Sequence, residues 1–439
     1  MTRRIFALVV LFLWTLDTAA FAQQPFSGGS AAGYGLAATN EARGGISGAW
    51  NPALAGISSP ATGSLSAGFG LLANPETYWT VRFARQVLGR VNPPASIPPR
   101  TVGRLSDRDP FAKTAGMGEI VWLAAQQHGY AISLSTRGWF QAYVPAALHM
   151  LVRGADSVRL ESLPPKTRSA IVTELSFAHG VALGHLPVLG PVWAGAGARI
   201  RHVHRAGIGL WSNATPGEDF HWNDLGVPPE GYAPGSGGPL IRYDDLSITG
   251  RQDAFLDLGV IAQPIEPLVL GITLADFAAI QRGGKMQHRE RVFLSGDSGI
   301  RAFGRDRLRI SEAARLGYDI DDLVRETIDP IPRLRAAVSI ETVGGRFFAA
   351  GQKSSTRRIS FDSPVLTSWT AGWAYPAFSW HPRLSVSARA NGELVLTGAF
   401  TLPLAVLHLD IELQHLDGER PVFGFSLQLS RGQSRSSQR

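Results

Sequence analysis

The sequence predicts an all-β fold, a transmembrane antiparallel β-barrel of about 14 strands with an N-terminal lumenal segment and some helical loops. Three observations carry this. Apolar and polar residues alternate through most of the C-terminal half. The alternating segments run about 8–11 residues, near the length a tilted strand needs to cross hydrocarbon. Short connections alternate with long ones, as between the two ends of a membrane barrel.

The first residues read as an address. Arg3 and Arg4 precede an apolar stretch from Ile5 to Leu16, shorter than the ~20 residues a spanning helix needs. Ala20-Phe21-Ala22 supplies the small-x-small pattern of a cleavage site, so residues 1–22 are expected to be a signal peptide removed after Ala22. Residues 23–62 follow as a separate segment before the strands. They contain Gly33-Tyr34-Gly35-Leu36-Ala37 and Gly44-Gly45-Ile46-Ser47-Gly48-Ala49-Trp50, small residues whose backbone packs closely in a confined space. The segment ends in an Asn51-Pro52 turn followed by Ala53 and Leu54.

Residues 63–430 are the expected barrel. In 422–430, Phe423, Phe425, Leu427 and Leu429 alternate with Gly424, Ser426, Gln428 and Ser430. Leu407, Leu409, Ile411 and Leu413 alternate with His408, Asp410, Glu412 and Gln414, and the same holds over 384–391 and 333–342. Weaker versions occur at 130–137, 173–183, 254–262, 268–276, 367–375 and 394–402. Such a period places two different solvents on the two faces of a strand. Two architectures fit: a soluble sandwich or barrel with the apolar face inward, and a membrane barrel with that face toward lipid. Trp79, Trp122, Trp139, Trp193, Trp369, Trp373, Tyr375 and Trp380 lie in or beside these segments, which suits an interfacial aromatic girdle. Asn391-Gly392 and Asp417-Gly418 favour tight hairpins. Long loops are expected at 85–117, 205–253 and 277–332, the last with a helix from Ser311 to Thr327, and 141–171 is expected to be partly helical. Residues 431–439 form a polar, basic tail.

Composition removes several function classes. The chain of 439 residues has no cysteine, which excludes disulfides, cysteine zinc sites, iron–sulfur clusters and thiol nucleophiles. Its formal charge of +7 is carried largely by arginines scattered among acids, not gathered in the patch a nucleic-acid binder needs. Gly296-Asp297-Ser298-Gly299 echoes a serine-protease loop, but Ile300 replaces the next glycine and no histidine context accompanies it. His202 and His204 share a strand face without a third clear ligand, so no metal is expected there. No cofactor and no enzymatic activity are expected. Arg335, Arg389, Glu341, Asp410 and Glu412, with Glu174 and Asp257, are the candidate lumen charges, expected to pair with one another or to capture a carboxylate.

The run ending in Asn51-Pro52-Ala53-Leu54, followed by amphipathic strands, resembles the FadL-like outer-membrane superfamily, with its PorV-type and TraF-like branches. The resemblance is sharpest at 51–54 and over the last ~100 residues. It departs from the terminal aromatic of many such barrels, because Gly432–Arg439 extends beyond the final strand. It implies a barrel in the outer membrane of a Gram-negative bacterium with its N-terminal segment, residues 23–62, as a lumenal hatch. Two functions follow from it: passage of hydrophobic or amphiphilic molecules across that membrane, or a PorV-like scaffold or shuttle for secretion or surface attachment of protein cargo. The expected partners are outer-membrane lipid and either hydrophobic small molecules or secreted cargo, with no nucleic acid.

Overall fold

The computed structural model describes residues 34–42, 46–57, 64–73, 95–97, 114–142, 166–214, 240–296, 299–307, 332–354, 367–375, 381–388, 394–404, 407–416 and 422–431. Sixteen strands form one sheet. They are β1 (Ser64–Ala73), β2 (Ala95–Ile97), β3 (Thr114–Gln127), β4 (Tyr130–Ala142), β5 (Lys166–Leu186), β6 (Gly190–Ala214), β7 (Leu240–Ile265) and β8 (Leu268–Gly296). The remainder are β9 (Gly299–Arg307), β10 (Arg333–Thr342), β11 (Gly345–Ser354), β12 (Thr367–Ala374), β13 (Arg383–Ala388), β14 (Leu394–Leu404), β15 (Leu407–Leu416) and β16 (Val422–Arg431).

The sheet closes on itself. β1 pairs with β16 on one side and β3 on the other, and β10 pairs with β8 as well as β11, all antiparallel. β9 and β2 attach to the far part of β8 outside this circuit, so the ring has fourteen of the sixteen strands. Closure pairs the first wall strand with the last, the arrangement in which strands can cross a bilayer.

Side-chain direction decides between the two architectures. Leu334, Phe347, Leu384, Leu394, Leu396, Leu413, Phe425 and Leu429 are exposed, whereas Arg333, Arg335, Ser339, Ser385, Thr397 and Ser426 are buried. A soluble β-core would invert this order, since exposing that apolar area to water costs roughly 25 cal/mol per Å². The exterior is therefore matched to hydrocarbon and the interior to polar groups. On this wall Leu409→Arg is expected to cost about 2–4 kcal/mol, and Asp410→Asn far less, by unfolding of the protein in vesicles. Equal costs would contradict the face assignment.

The connections sort to two ends. At one end lie the tight turns at 128–129, 187–189, 266–267 and 343–344; at the other, β4–β5 and β6–β7 are joined across the longer intervals 143–165 and 215–239. These are called the turn end and the loop end. His128 and Gly129 both have positive φ, as a two-residue hairpin of primed type requires.

Two expectations change. Strands occupy much of the intervals expected as loops: β6 and β7 extend through 205–214 and 240–253, β8 and β9 through 277–296 and 299–307, and β3 starts at Thr114. The alternation fails there because the register shifts beside it, at Arg205/Val203 of β6 and at Leu256/Leu258 of β7, and because Tyr243, Asp244, Leu246 and Ser247 are buried on both faces. The aromatic girdle is also incomplete. Trp139 packs inward on Ala170, Val172, Val203 and Ala206, and Trp193 inward on the hatch, while Trp122 is exposed and Trp373 donates to the Gly344 carbonyl at a turn. The Asn-Gly link, the 311–327 helix, the centre of 141–171, Trp79, Trp380, Asp297, Ser298, the leader and Gly432–Arg439 lie outside the described residues.

Candidate functional site

The N-terminal segment enters the ring at the turn end. Short helical turns cover Gly35–Ala37, Ala38–Glu41, Ser47–Trp50 and Pro52–Gly56. Asn51 starts the last of these with extended backbone, and its Oδ1 accepts from the Ala53 amide at 3.1 Å, the local bond that makes Asn-Pro a turn initiator. Almost every side chain from Leu36 to Ala42 and from Ser47 to Ala55 is buried.

Backbone meets backbone where this segment docks. A Cβ built on Gly195 of β6 would lie 2.4 Å from the Pro52 carbonyl carbon and 2.5 Å from the Ala53 nitrogen. On Gly259 of β7 it would lie 1.9 Å from Asn51 Oδ1, and Gly180 of β5 and Gly271 of β8 meet the segment as closely. Glycine inside a strand weakens the strand, and its use here is close approach of a second backbone. Gln126 Nε2 of β3 donates to the Leu54 and Ala55 carbonyls at 3.1 and 3.3 Å. On the opposite wall, Leu36 and Ala37 pack with Phe348, Ala350 and Ala374 of β11 and β12, and Arg346 Nη1 holds Glu41 at 2.7 Å. The segment thus reaches from wall to wall.

Above it, toward the loop end, charged side chains from consecutive strands form a belt. Arg137 of β4 pairs with Glu119 of β3 and with Glu174 of β5, the latter at 3.1 Å. Arg201 and Arg199 of β6 reach back to Glu174 at 3.2 and 3.4 Å. Arg199 also grips Asp257 of β7 with two bonds, Nε to Oδ2 at 2.6 Å and Nη2 to Oδ1 at 2.9 Å, and pairs with Asp276 of β8. Asp276 in turn pairs with Arg333 of β10, and its amide donates to Asp257 Oδ1 at 2.8 Å. The Phe255 ring lies beneath both guanidinium groups of β6, 5.3 and 4.5 Å from its centroid. Such a network is affordable inside a protein only when nearly every lone pair and N–H is engaged.

The candidates from the sequence are placed as follows. Arg335 is buried at 1% exposure, donates from Nε to Gln352 Oε1 at 2.9 Å and lies 5.4 Å over the Trp50 ring of the N-terminal segment. Glu174 and Asp257 sit in the belt. Glu341 stands at the turn-end rim, largely exposed, bonded to Arg346 at 2.7 Å. Arg389 lies outside the described residues; Asp410 and Glu412 are in register with Thr401 and Ala399, and their side chains are not described. Asn51, Pro52, Ala53 and Leu54 are buried in the docked segment. His202 and His204 face outward, where His204 Nε2 bonds Thr173 Oγ1 at 2.8 Å. Sequence reasoning missed Glu119, Arg137, Arg199, Arg201, Asp276 and Arg333. Only Arg199-Ile200-Arg201 carries a local signal, two cations flanking an apolar residue in strand period.

No family model and no curated protein matches the chain. Among solved structures it is similar to a TodX deltaS2S3 mutant monoaromatic hydrocarbon channel, at 10% identity and TM-score 0.41, covering 87% of this chain and 92% of that one. It is also similar to a FadL homologue of Pseudomonas aeruginosa, at 12% identity and TM-score 0.44, covering 95% and 99%.

Proposed function

We propose that the protein is a non-enzymatic outer-membrane barrel of a Gram-negative bacterium that passes hydrophobic or amphiphilic molecules, with residues 34–57 as its hatch. The observation that carries this reading is an interruption, among the described residues, of the ladder beside the belt. β10 pairs with β8 only as far as Arg333 opposite Ala275, whereas β8 continues to Gly296 and gains β9 as a neighbour only from His288. Between these, among the described residues, β8 has a single ladder partner, β7. Asp276 has φ +56 and marks the bulge where the strand turns away, and Phe277 and Ile280 just beyond it are exposed. An apolar solute held at the loop end would leave sideways there into hydrocarbon, because the hatch obstructs the axial route.

The test is uptake of labelled toluene and of labelled oleate by cells that lack their own hydrophobic channels. Expression is expected to raise uptake of at least one probe several-fold, and Phe277→Arg with Ile280→Arg to reverse the gain while the band remains heat-modifiable. A folded, membrane-inserted protein that moves neither probe would overturn transport and favour the cargo scaffold.

A further inference from the structure

The outer wall carries a second feature, a polar row that borders the lateral exit. Strand register places Thr136 opposite Thr173, Thr173 opposite His202, His202 opposite Gln252 and Gln252 opposite Arg282, one polar residue on each of β4 to β8. Opposed residues share a face. That face is the exterior: Leu175 and Ile280, two positions turn-ward of Thr173 and Arg282, are exposed, while Arg201, Arg251 and Asp253, next to the row along their strands, are buried.

The row marks a boundary. Turn-ward of it the exposed side chains are Leu175, Phe177, Val181 and Leu183 on β5 and Leu256, Leu258 and Val260 on β7. At about 3.3 Å per residue and about 40° of tilt, the dozen residues from there to the turns span roughly 25–30 Å, the height of a hydrocarbon band. The row therefore lies at head-group level on the loop side. Trp122 Nε1 donates to Thr136 Oγ1 at 2.9 Å, Thr136 and Thr173 hydroxyls bond at 2.9 Å, Thr173 bonds His204, and the rings of His202 and His204 are 4.7 Å apart. Gly250, Gly283 and Gly284 have positive φ at this level of the β7–β8 ladder, and Lys285, opposite Thr249, lies three residues loop-ward of Arg282.

The charge here is one-sided. Glu174, Asp253 and Asp257 on the same strands point inward and are engaged by Arg137, Arg199, Arg201 and Arg251, and Asp245 is held by Arg205. Arg282 is exposed on that outer face, and Lys285, three residues on, is exposed as well. We propose that this row, with His204 and Lys285, docks the phosphate-bearing head group of an anionic lipid in the leaflet beside the loop end. Cations with hydroxyl and imidazole groups match phosphate oxygens, and the apolar wall directly below, Ile200, Leu256 and Ile280, matches the acyl chains. An amphiphile of that polarity satisfies both halves of the surface, whereas a free anion satisfies one. The inference rests on the membrane-barrel reading above.

The full-length protein in detergent, titrated with a bis-phosphorylated glucosamine lipid and followed by native mass spectrometry, tests it. The lipid is expected to be retained at low stoichiometry, and Arg282→Gln with Lys285→Gln to weaken retention by about tenfold or more, given about 1 kcal/mol for each cation near such a surface. Arg282→Lys keeps the charge and should keep most of the binding. Equal retention of phosphatidylcholine, unchanged binding in the double variant, or displacement by inorganic phosphate at equal concentration would each overturn it. A protein that is not heat-modifiable would defeat the barrel reading itself; a heat-modifiable one without head-group discrimination would defeat only this inference.

Discussion

Gly195→Val is expected to open the turn end of the barrel to small solutes while the ring stays assembled. The new side chain cannot share space with the Pro52 carbonyl carbon and the Ala53 nitrogen, 2.4 and 2.5 Å from where its Cβ would stand. Both are backbone atoms of a segment buried on all sides, so neither swings aside as a flexible side chain would. Overpacking of this kind costs about 1–3 kcal/mol in an adaptable core. If that cost falls on the docked state of the hatch, the displaced population rises by about five- to more than a hundred-fold. Liposome swelling or antibiotic sensitivity reads the leak directly. Gly398→Ala is the control, since nothing lies within 4 Å of its added Cβ. A Gly195 variant that leaks no more than the Gly398 variant would mean that the segment does not close the channel.

Arg199→Ala is expected to be the most damaging single change in the belt, about 3–5 kcal/mol of stability. Its guanidinium serves Asp257, Asp276 and Glu174 together. Glu174 retains Arg137 and Arg201, and Asp276 retains Arg333, but Asp257 keeps only the Asp276 amide among the bonds described above. A buried carboxylate in that position carries most of its desolvation cost uncompensated. Urea unfolding of the protein in vesicles measures the loss. Glu341→Gln, at an exposed rim pair with Arg346, should cost no more than about 1 kcal/mol. Equal losses at the two sites would mean that the belt is solvated, not a buried network.

The barrel was legible where each strand keeps one face in hydrocarbon throughout. From Leu384 to Leu429 the exposed positions are the apolar members of the alternation, and no propensity argument was needed. The β6–β7–β8 extension was not legible, because its bulges swap faces and both faces are covered around Tyr243–Ser247. Of the belt, Glu174, Asp257 and Arg335 could be named from strand parity. Their partners could not, since Arg199 lies 58 residues from Asp257 and 77 from Asp276 and meets them only through register. The hatch-facing glycines were visible as residues but not as contacts: Gly195 and Gly259 read simply as weak points in strands until the second backbone is in place.

The ring is sealed by its two ends: β1 meets β16 with Leu65 opposite Arg431. The seam thus joins the first wall strand to the last, and the segment that occupies the lumen precedes both in the chain. Contacts so distant in sequence form slowly. During biogenesis the barrel therefore passes through an open sheet whose β1 and β16 edges are both unpaired, a state prone to pairing with other chains. The order of events is constrained as well. The hatch lies against β5, β6, β7 and β8 on one side and against β11 and β12 on the other, so it is most readily seated while the sheet is still curling, before the last strand zips the cylinder shut around it.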